Sequence, residues 1–423
     1  MARTVSIGYQ EFDDIIKNRL FYVDKTHFIK EWWENYDRVT LITRPRRFGK
    51  TLTMSMLEHF FSIQLKEQDT LFHGLRIWQY EEYRKLQGTF PVISISFADI
   101  KETSYLQVKK KICEIIVDLY NEYDFLVEGN LLNDKEKEYF HKVSAEMEDY
   151  EISLSLKRLS HYLYRYYNQK VIILLDEYDT PMQEAYVGNY WDELAAFTRS
   201  LFNAAFKSNP YLERALLTGI TRISKESIFS DLNNLKVVTT TSDEYADCFG
   251  FTEREVIRAL EEYGLSDKMA EVKEWYDGFT FGSKNDIYNP WSILNYLDTG
   301  RLRPYWANTS SNTLAGTLIR EGSKDIKQKF EKLLSRDTIE EFIDEQILYS
   351  QIKVKESSIW SLLLASGYLK VVSTRFNEQT GRTYYTLSFT NKEVSIMFEN
   401  IIHDWFADYD SGKKVLIGEQ RCI

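Results

Sequence analysis

The chain is predicted to be an α/β protein built on a parallel sheet, and three observations carry that prediction. Apolar runs such as Val171–Leu175 are continuous rather than alternating, as strands covered on both faces require. Helix-periodic segments separate those runs in the first two-thirds of the chain. Polar signatures follow two of them directly, at the carboxyl edge where open α/β sheets bind ligands.

Taken in order, Tyr9–Asn18 has the spacing of a short helix. Val39-Thr40-Leu41-Ile42-Thr43 is a β-branched strand run ending in a Pro/Arg/Gly loop. From Thr51 to about Gln64, Leu52, Met56, Leu57 and Phe60 share one helical face. Pro91–Phe97 is a second strand and Tyr105–Tyr120 a helix, followed by an acid-rich stretch, Asp124–Glu151, that reads as an insertion. Next come a helix (Leu154–Tyr167), the strand Val171–Leu175, a helix (Trp191–Lys207) and strands at Ala215–Thr218 and Lys236–Thr241. After Phe251, Thr252 and Glu255 have the spacing of a capping box, and helices are expected through Trp275 and over Pro290–Leu297. Beyond Thr338 the order is helix (Ser357–Ala365), turn at Gly367, strands (Tyr368–Val372, Tyr384–Leu387) and helix (Lys392–Trp405), which is winged-helix-like. The expected division is 1–248, 249–335 and 336–423.

Composition excludes several classes. Hydrophobic residues make up 43% of the 423 and charged residues 28%, with 15% aromatic, so the chain can fill substantial cores. A net charge of −11 argues against a sequence-blind coat on nucleic acid. No apolar run approaches the ~20 residues of a membrane span, and the N-terminus lacks a signal-peptide core. Cys113, Cys248 and Cys422 are scattered and unpaired in spacing, and the six His are dispersed without H-x-x-x-H. That pattern predicts a reduced, cytoplasmic protein with neither disulfide framework nor zinc cluster.

The most informative segment is Arg44-Pro45-Arg46-Arg47-Phe48-Gly49-Lys50-Thr51. Its Gly-Lys-Thr end lies between strand and helix, where backbone N–H groups and the helix dipole face an anion. Lys50 would reach the β- and γ-phosphates of a nucleotide such as ATP, and the Thr51 hydroxyl would ligate Mg²⁺. Arg44 stands where the general pattern has glycine, with Pro45 stiffening the loop. Gly-Lys-Thr alone is a common tripeptide, and the arginines alone could be a solvated loop.

The second segment, Val171-Ile172-Ile173-Leu174-Leu175-Asp176-Glu177-Tyr178-Asp179, lies about 125 residues further on. Asp176 is suited to hold Mg²⁺, and Glu177 to orient or deprotonate a water at the γ-phosphate. Strand alternation is expected to send these two carboxylates to opposite faces. Asp179 is expected to support the loop. Thr218 either senses the γ-phosphate or satisfies backbone groups at its strand end, and Arg222 could offset transition-state charge. The aromatic cluster Trp275–Trp306 reads as core more readily than as a base-stacking platform. Asp24-Lys25-Thr26 could contact base or ribose, or cap a helix.

These motifs, with Tyr22-Val23-Asp24-Lys25-Thr26, Leu217-Thr218-Gly219-Ile220, Trp275-Tyr276-Asp277-Gly278-Phe279, Tyr288-Asn289-Pro290-Trp291-Ser292 and Trp306-Ala307-Asn308-Thr309-Ser310, resemble those of the AAA-ATPase-like proteins. Members often carry a C-terminal nuclease of the PD-(D/E)-X-K class. The resemblance implies a P-loop ATPase core in which the acidic strand lies one strand away from the loop strand, with helices after residue 250 forming a lid. It also makes Arg44 normal for the first loop position. The full expectation is an α/β P-loop NTPase core with a helical lid and a small winged-helix-like α+β C-terminal region. Nuclease activity is not expected, because only Phe406–Ile423 follow Trp405 and Glu419-Gln420-Arg421 lacks the needed lysine.

The sequence therefore predicts a Mg²⁺-dependent ATPase that uses its cycle as a conformational switch. The alternative is a nucleotide-gated module contacting DNA or a protein through its C-terminal region, where charges are mixed. A structural adaptor with a degenerate site is the third reading, disfavoured by the intact Lys50, Thr51, Asp176 and Glu177.

Overall fold

Five parallel strands form the centre of the molecule, and burial along them is unbroken where both faces are covered. The computed structural model describes residues 2–223, 228–229, 232–307, 313–344 and 356–403. In the first segment these form α1 (Phe12–Lys17), α2 (His27–Glu34), β1 (Val39–Thr43), α3 (Lys50–Phe61), α4 (Glu81–Leu86), β2 (Val92–Ser96) and α5 (Tyr105–Asn121). There follow α6 (Phe125–Glu128), α7 (Asp134–Lys142), α8 (Asp149–Tyr167), β3 (Val171–Asp176), α9 (Thr180–Gly188), α10 (Trp191–Phe202), β4 (Leu212–Gly219) and β5 (Leu235–Val238). Every residue of β1 and β3 is buried. Each fully buried Ile or Leu there contributes roughly 1.5–3 kcal/mol.

The sheet order is β2-β3-β4-β1-β5. β4 therefore separates the acidic strand β3 from the loop strand β1, pairing in parallel with both. All five carboxyl ends lie on one edge, where α3 and the Asp176–Asp179 corner begin.

Several boundaries differ from the sequence expectation for local reasons. The acid-rich stretch after Asp124 is itself helical, since Asn133/Glu136 and Glu148/Glu151 close capping boxes that start α7 and α8. β5 stops at Val238 because Thr239 N–H donates to Ser242 Oγ at 3.0 Å, turning the chain. α1 starts at Phe12, whose N–H donates to Ser55 Oγ of α3 at 3.0 Å.

The middle segment has its own small core. β6 (Phe251–Thr252), α11 (Glu253–Glu262), α12 (Met269–Tyr276), β7 (Phe279–Phe281), β8 (Lys284–Tyr288) and α13 (Pro290–Thr299) bury Val256, Leu260, Val272, Tyr276 and Ile293 together. Thr252 and Glu255 make the capping box of α11.

Further on come α14 (Thr313–Glu321), α15 (Lys324–Leu334), β9 (Ile339–Phe342), α16 (Glu356–Ala365), β10 (Leu369–Asn377), β11 (Arg382–Phe389) and α17 (392–403). The strands form an antiparallel sheet in the order β10-β11-β9. Its hairpin extends well beyond the expected strands, because exposed residues such as Ser373 and Arg375 pair along it without an apolar pattern. Phe330 of α15 packs edge-on against Phe389 at 5.6 Å and Phe398 at 5.0 Å, so α15, which falls within the expected 249–335 division, packs with the C-terminal elements. Asn308–Ser310, Lys353, Lys355 and the end of the last expected helix with Phe406–Ile423 lie outside the described residues. Among the described residues no helix is long and apolar enough to cross a membrane.

Glu393 of α17 joins the last two parts. It is fully buried, accepts from Ser292 Oγ at 3.0 and 3.1 Å, and accepts from Trp306 N–H at 3.3 Å. Burial pushes its carboxyl pKa up to about 8, against those hydrogen bonds. Because the folded pKa exceeds the unfolded one, this contribution is complete below the ordinary carboxylate pKa and is lost as pH rises through about 8. Melting temperatures measured from about pH 5 to about pH 9 are expected to fall with pH, and Glu393→Gln to flatten that fall. Identical slopes for the two proteins would contradict the buried neutral acid.

Candidate functional site

The loop after β1 turns at two left-handed residues, Arg47 (φ 65°) and Gly49 (φ 84°), and Gly49 is the N-cap of α3. A side chain at Gly49 would meet nothing within 4 Å, so its backbone conformation is what glycine provides there. Lys50 is 4% exposed. Its Nζ donates to the Arg44 and Pro45 carbonyls at 3.1 Å each, which folds the ammonium back over its own loop. No carboxylate is ion-paired to Lys50 among the described residues. A buried cation held only by carbonyl dipoles, beside the start of a 12-residue helix, favours an anionic ligand.

That ammonium's helix meets the acidic strand directly. Thr51 Oγ1 donates to Asp176 Oδ2 at 2.6 Å, across 125 residues of sequence. Thr218, at the end of the intervening β4, donates to Asp176 Oδ1 and accepts from Glu177 N–H at 3.4 Å. Asp176 is 3% exposed. Burial pushes its carboxyl upward while the Thr218 and Thr51 hydroxyls pull it down; Glu177 adds to the rise and Lys50 opposes it.

Glu177 departs from the strand geometry expected of it. Its φ of 49° takes it out of β3, so the left-handed backbone, and not strand alternation, separates its carboxylate from that of Asp176. Glu177 Oε2 accepts from Thr180 Oγ1 at 3.0 Å.

Tyr178 and Asp179 fix the chain beyond β4. Asp179 Oδ2 accepts from Ile220 N–H at 3.1 Å and from Thr221 N–H and Oγ1 at 2.8 Å each. Tyr178 OH donates to the Thr221 carbonyl at 2.7 Å and accepts from Ile223 N–H at 3.1 Å. A Cβ on Gly219 would fall 2.6 Å from Asp179 Oδ1 and 2.7 Å from the Tyr178 ring, which is why a glycine ends β4. Arg222, carried by this clamped segment, lines a cleft with Thr43, Thr239, Ile343, Ser361 and Leu364, between the sheet edge and α16.

The remaining loop residues face in different directions. Arg44, expected among the phosphate contacts, is fully buried. Its guanidinium donates to the carbonyls of Thr43, Thr239 and Glu244 and lies 4.4 Å from the Phe281 ring centroid. Phe48 is buried edge-on against Phe279 at 4.8 Å and Phe281 at 5.4 Å. Pro45 is buried and abuts Gly367, whose added Cβ would lie 2.8 Å from Pro45 Cγ. Arg46 and Arg47 are exposed, with Arg47 4.3 Å over the Trp291 ring.

Residues read from the sequence mainly as core determinants also hydrogen-bond to this loop. The Arg46 carbonyl accepts from Trp306 Nε1 at 3.0 Å and Asn289 Nδ2 at 3.3 Å, and Asn289 also caps α13. The signal was present in the Tyr-Asn-Pro-Trp-Ser and Trp-Ala motifs, but their contact with the loop was not. Lys25 donates to both Glu255 oxygens at 2.9 and 2.7 Å, and Asp24 accepts from Thr26 and from Arg76 N–H. That first motif thus ties α2 to its neighbours.

The donor set suits a small hard cation. A threonine hydroxyl and a carboxylate converge within hydrogen-bond distance, with the carboxylate held by a second hydroxyl. Magnesium takes such oxygen donors together with substrate phosphates.

Residues 6–229 match the family described as "Predicted AAA-ATPase". The chain is also similar to an uncharacterized protein in the vnfD 5′ region of Azotobacter chroococcum mcd 1. The two are 27% identical over 396 residues, spanning 93% of this chain and 68% of that one.

Proposed function

Since this chain belongs to the predicted AAA-ATPase family, we propose that it binds ATP with Mg²⁺ and hydrolyses it to ADP and phosphate, using the cycle as a conformational switch. The observation that carries this reading is the 2.6 Å contact between Thr51 and Asp176, with the buried Lys50 ammonium at the same helix start. In this proposal Lys50 exchanges its two carbonyl partners for β- and γ-phosphate oxygens. The loop amides from Arg46 to Thr51 hold the phosphates, and Thr51 with Asp176 would hold the metal. Bound Mg²⁺ would supply positive charge against the charge that develops on the phosphates. Glu177 orients the attacking water and takes its proton, and Thr218 holds both acidic residues in register.

The switch would run through contacts already described. Phe48 touches the middle segment, which would act as a helical lid, and Pro45 touches the C-terminal region, in which α16 and the β10–β11 hairpin would make a winged-helix-like unit. Arg222 faces α16 across a cleft and is the residue through which phosphate loss would reach that region. The same contacts favour a second reading, a nucleotide-gated module whose output is binding of DNA or a protein with little turnover.

Phosphate release and fluorescent-nucleotide binding by the purified chain, with and without Mg²⁺ and with and without DNA, test both. Mg²⁺-dependent release supports the first reading, and tight Mg²⁺-dependent binding with negligible release supports the second. Absence of nucleotide binding would defeat both.

A further inference from the structure

Away from the phosphate loop, four side chains with metal-binding chemistry meet. His27 and Glu31 lie one turn apart on α2, and Asp247 and Cys248 follow β5. Their ligand atoms all lie within 4.8 Å of one another. His27 Nε2 is 3.5 Å from Asp247 Oδ1, and Cys248 Sγ is 3.5 Å from Glu31 Oε2. Cys248 is 2% exposed, and the shielded His27 Nε2, beyond its 3.5 Å approach to Asp247, has no hydrogen-bond partner among the described residues. An imidazole nitrogen, a thiol and two carboxylates are a mixed set that suits zinc rather than magnesium or calcium.

We propose that His27, Glu31, Asp247 and Cys248 form a structural zinc site that pins α2 to the segment after β5. Ligand atoms of a tetrahedral site with bonds of about 2.0–2.3 Å stand roughly 3.3–3.8 Å apart, so the cluster closes by about an ångström. With Nε2 on the metal, the imidazole proton sits on Nδ1. The exposed Arg76, whose Nη1 is 3.4 Å from Nδ1, then swings away. Of the other cations that face the cluster, Lys25 is already matched by Glu255 and by the Asp247 carbonyl, and Lys284 acts on Asp247 from the start of β8.

The site would bear on the loop through its neighbours. Glu244 gives its carbonyl to Arg44, and Gly250 N–H donates to the Phe48 carbonyl at 3.4 Å. Scattered cysteines predicted no zinc cluster, because spacing along the chain reports only local sites. Here Glu31 and Cys248 are 217 residues apart.

Cobalt titration of the chelator-treated full chain, without nucleotide or magnesium, tests this. One equivalent of Co²⁺ should give a thiolate-to-metal charge-transfer band with the visible bands of a tetrahedral ion, displaced by one equivalent of zinc. Cys248→Ser should abolish the charge-transfer band, His27→Ala should weaken binding at least about tenfold, and Cys113→Ser should leave both intact. Should Cys248→Ser fail to fold, the wild-type spectrum together with Glu31→Gln decides. No thiolate band in the wild-type chain, or one surviving Cys248→Ser, would reduce the cluster to an ordinary ion pair and thiol hydrogen bond.

Discussion

Lys50→Ala protein is expected to lose nucleotide affinity by a factor on the order of 10², the loss of two charge-assisted hydrogen bonds to phosphate, and to release phosphate at background. The native fold should survive, because the lysine's partners are two carbonyls of its own loop and no acid is orphaned by its removal. Glu177→Gln is expected to behave differently. Glutamine keeps an oxygen to accept from Thr180, so the left-handed corner and nucleotide binding should persist. Turnover should fall by roughly 10²–10⁴, the usual cost of removing a general base. Equilibrium binding and single-turnover phosphate release separate the two effects. Equal turnover in wild-type and Lys50→Ala protein would remove the ATPase proposal, and unchanged turnover in Glu177→Gln would remove Glu177 from the chemistry.

The contrast between these residues shows what the sequence made legible. β1 and β3 were readable nearly to the residue because strands buried on both faces must be apolar throughout, leaving a run with no competing explanation. Gly49-Lys50-Thr51 and Asp176 were readable because each directly follows such a run. The corner at Glu177 was not, since its left-handed backbone is imposed by Tyr178 and Asp179 clamping residues 220–223, which are more than forty positions away. The β10–β11 hairpin was likewise underestimated. Much of its outer half faces solvent, so pairing rather than hydrophobic pattern extends it. The aromatic motifs between Trp275 and Trp306 were expected in a core, and Trp306 is indeed buried. Its hydrogen bond to the Arg46 carbonyl depends on a docking geometry that no local pattern encodes.

Arg44 is the case where motif position and physical role part most sharply, and its replacement carries the second large expected effect. Burial lowers its guanidinium pKa to about 10, which still leaves it charged at neutral pH. It is held by the carbonyls of Thr239 and Glu244 and by the Phe281 face. Arg44→Ala should therefore cost about 2–4 kcal/mol, from carbonyls left without donors and from the vacated volume, and lower the melting temperature. Arg44→Lys should not restore it, because one ammonium cannot span carbonyls on separate segments as the planar fork does. At temperatures where the variants remain folded, nucleotide affinity should stay within a few-fold of wild type. The opposite result, an unchanged melting curve with affinity lost, would mean that the guanidinium leaves its buried seat to meet the phosphates. The loop's positive charge would then include Arg44 after all, and the support provided by the segment after β5 would have to be sought in Phe48 and Gly250 alone.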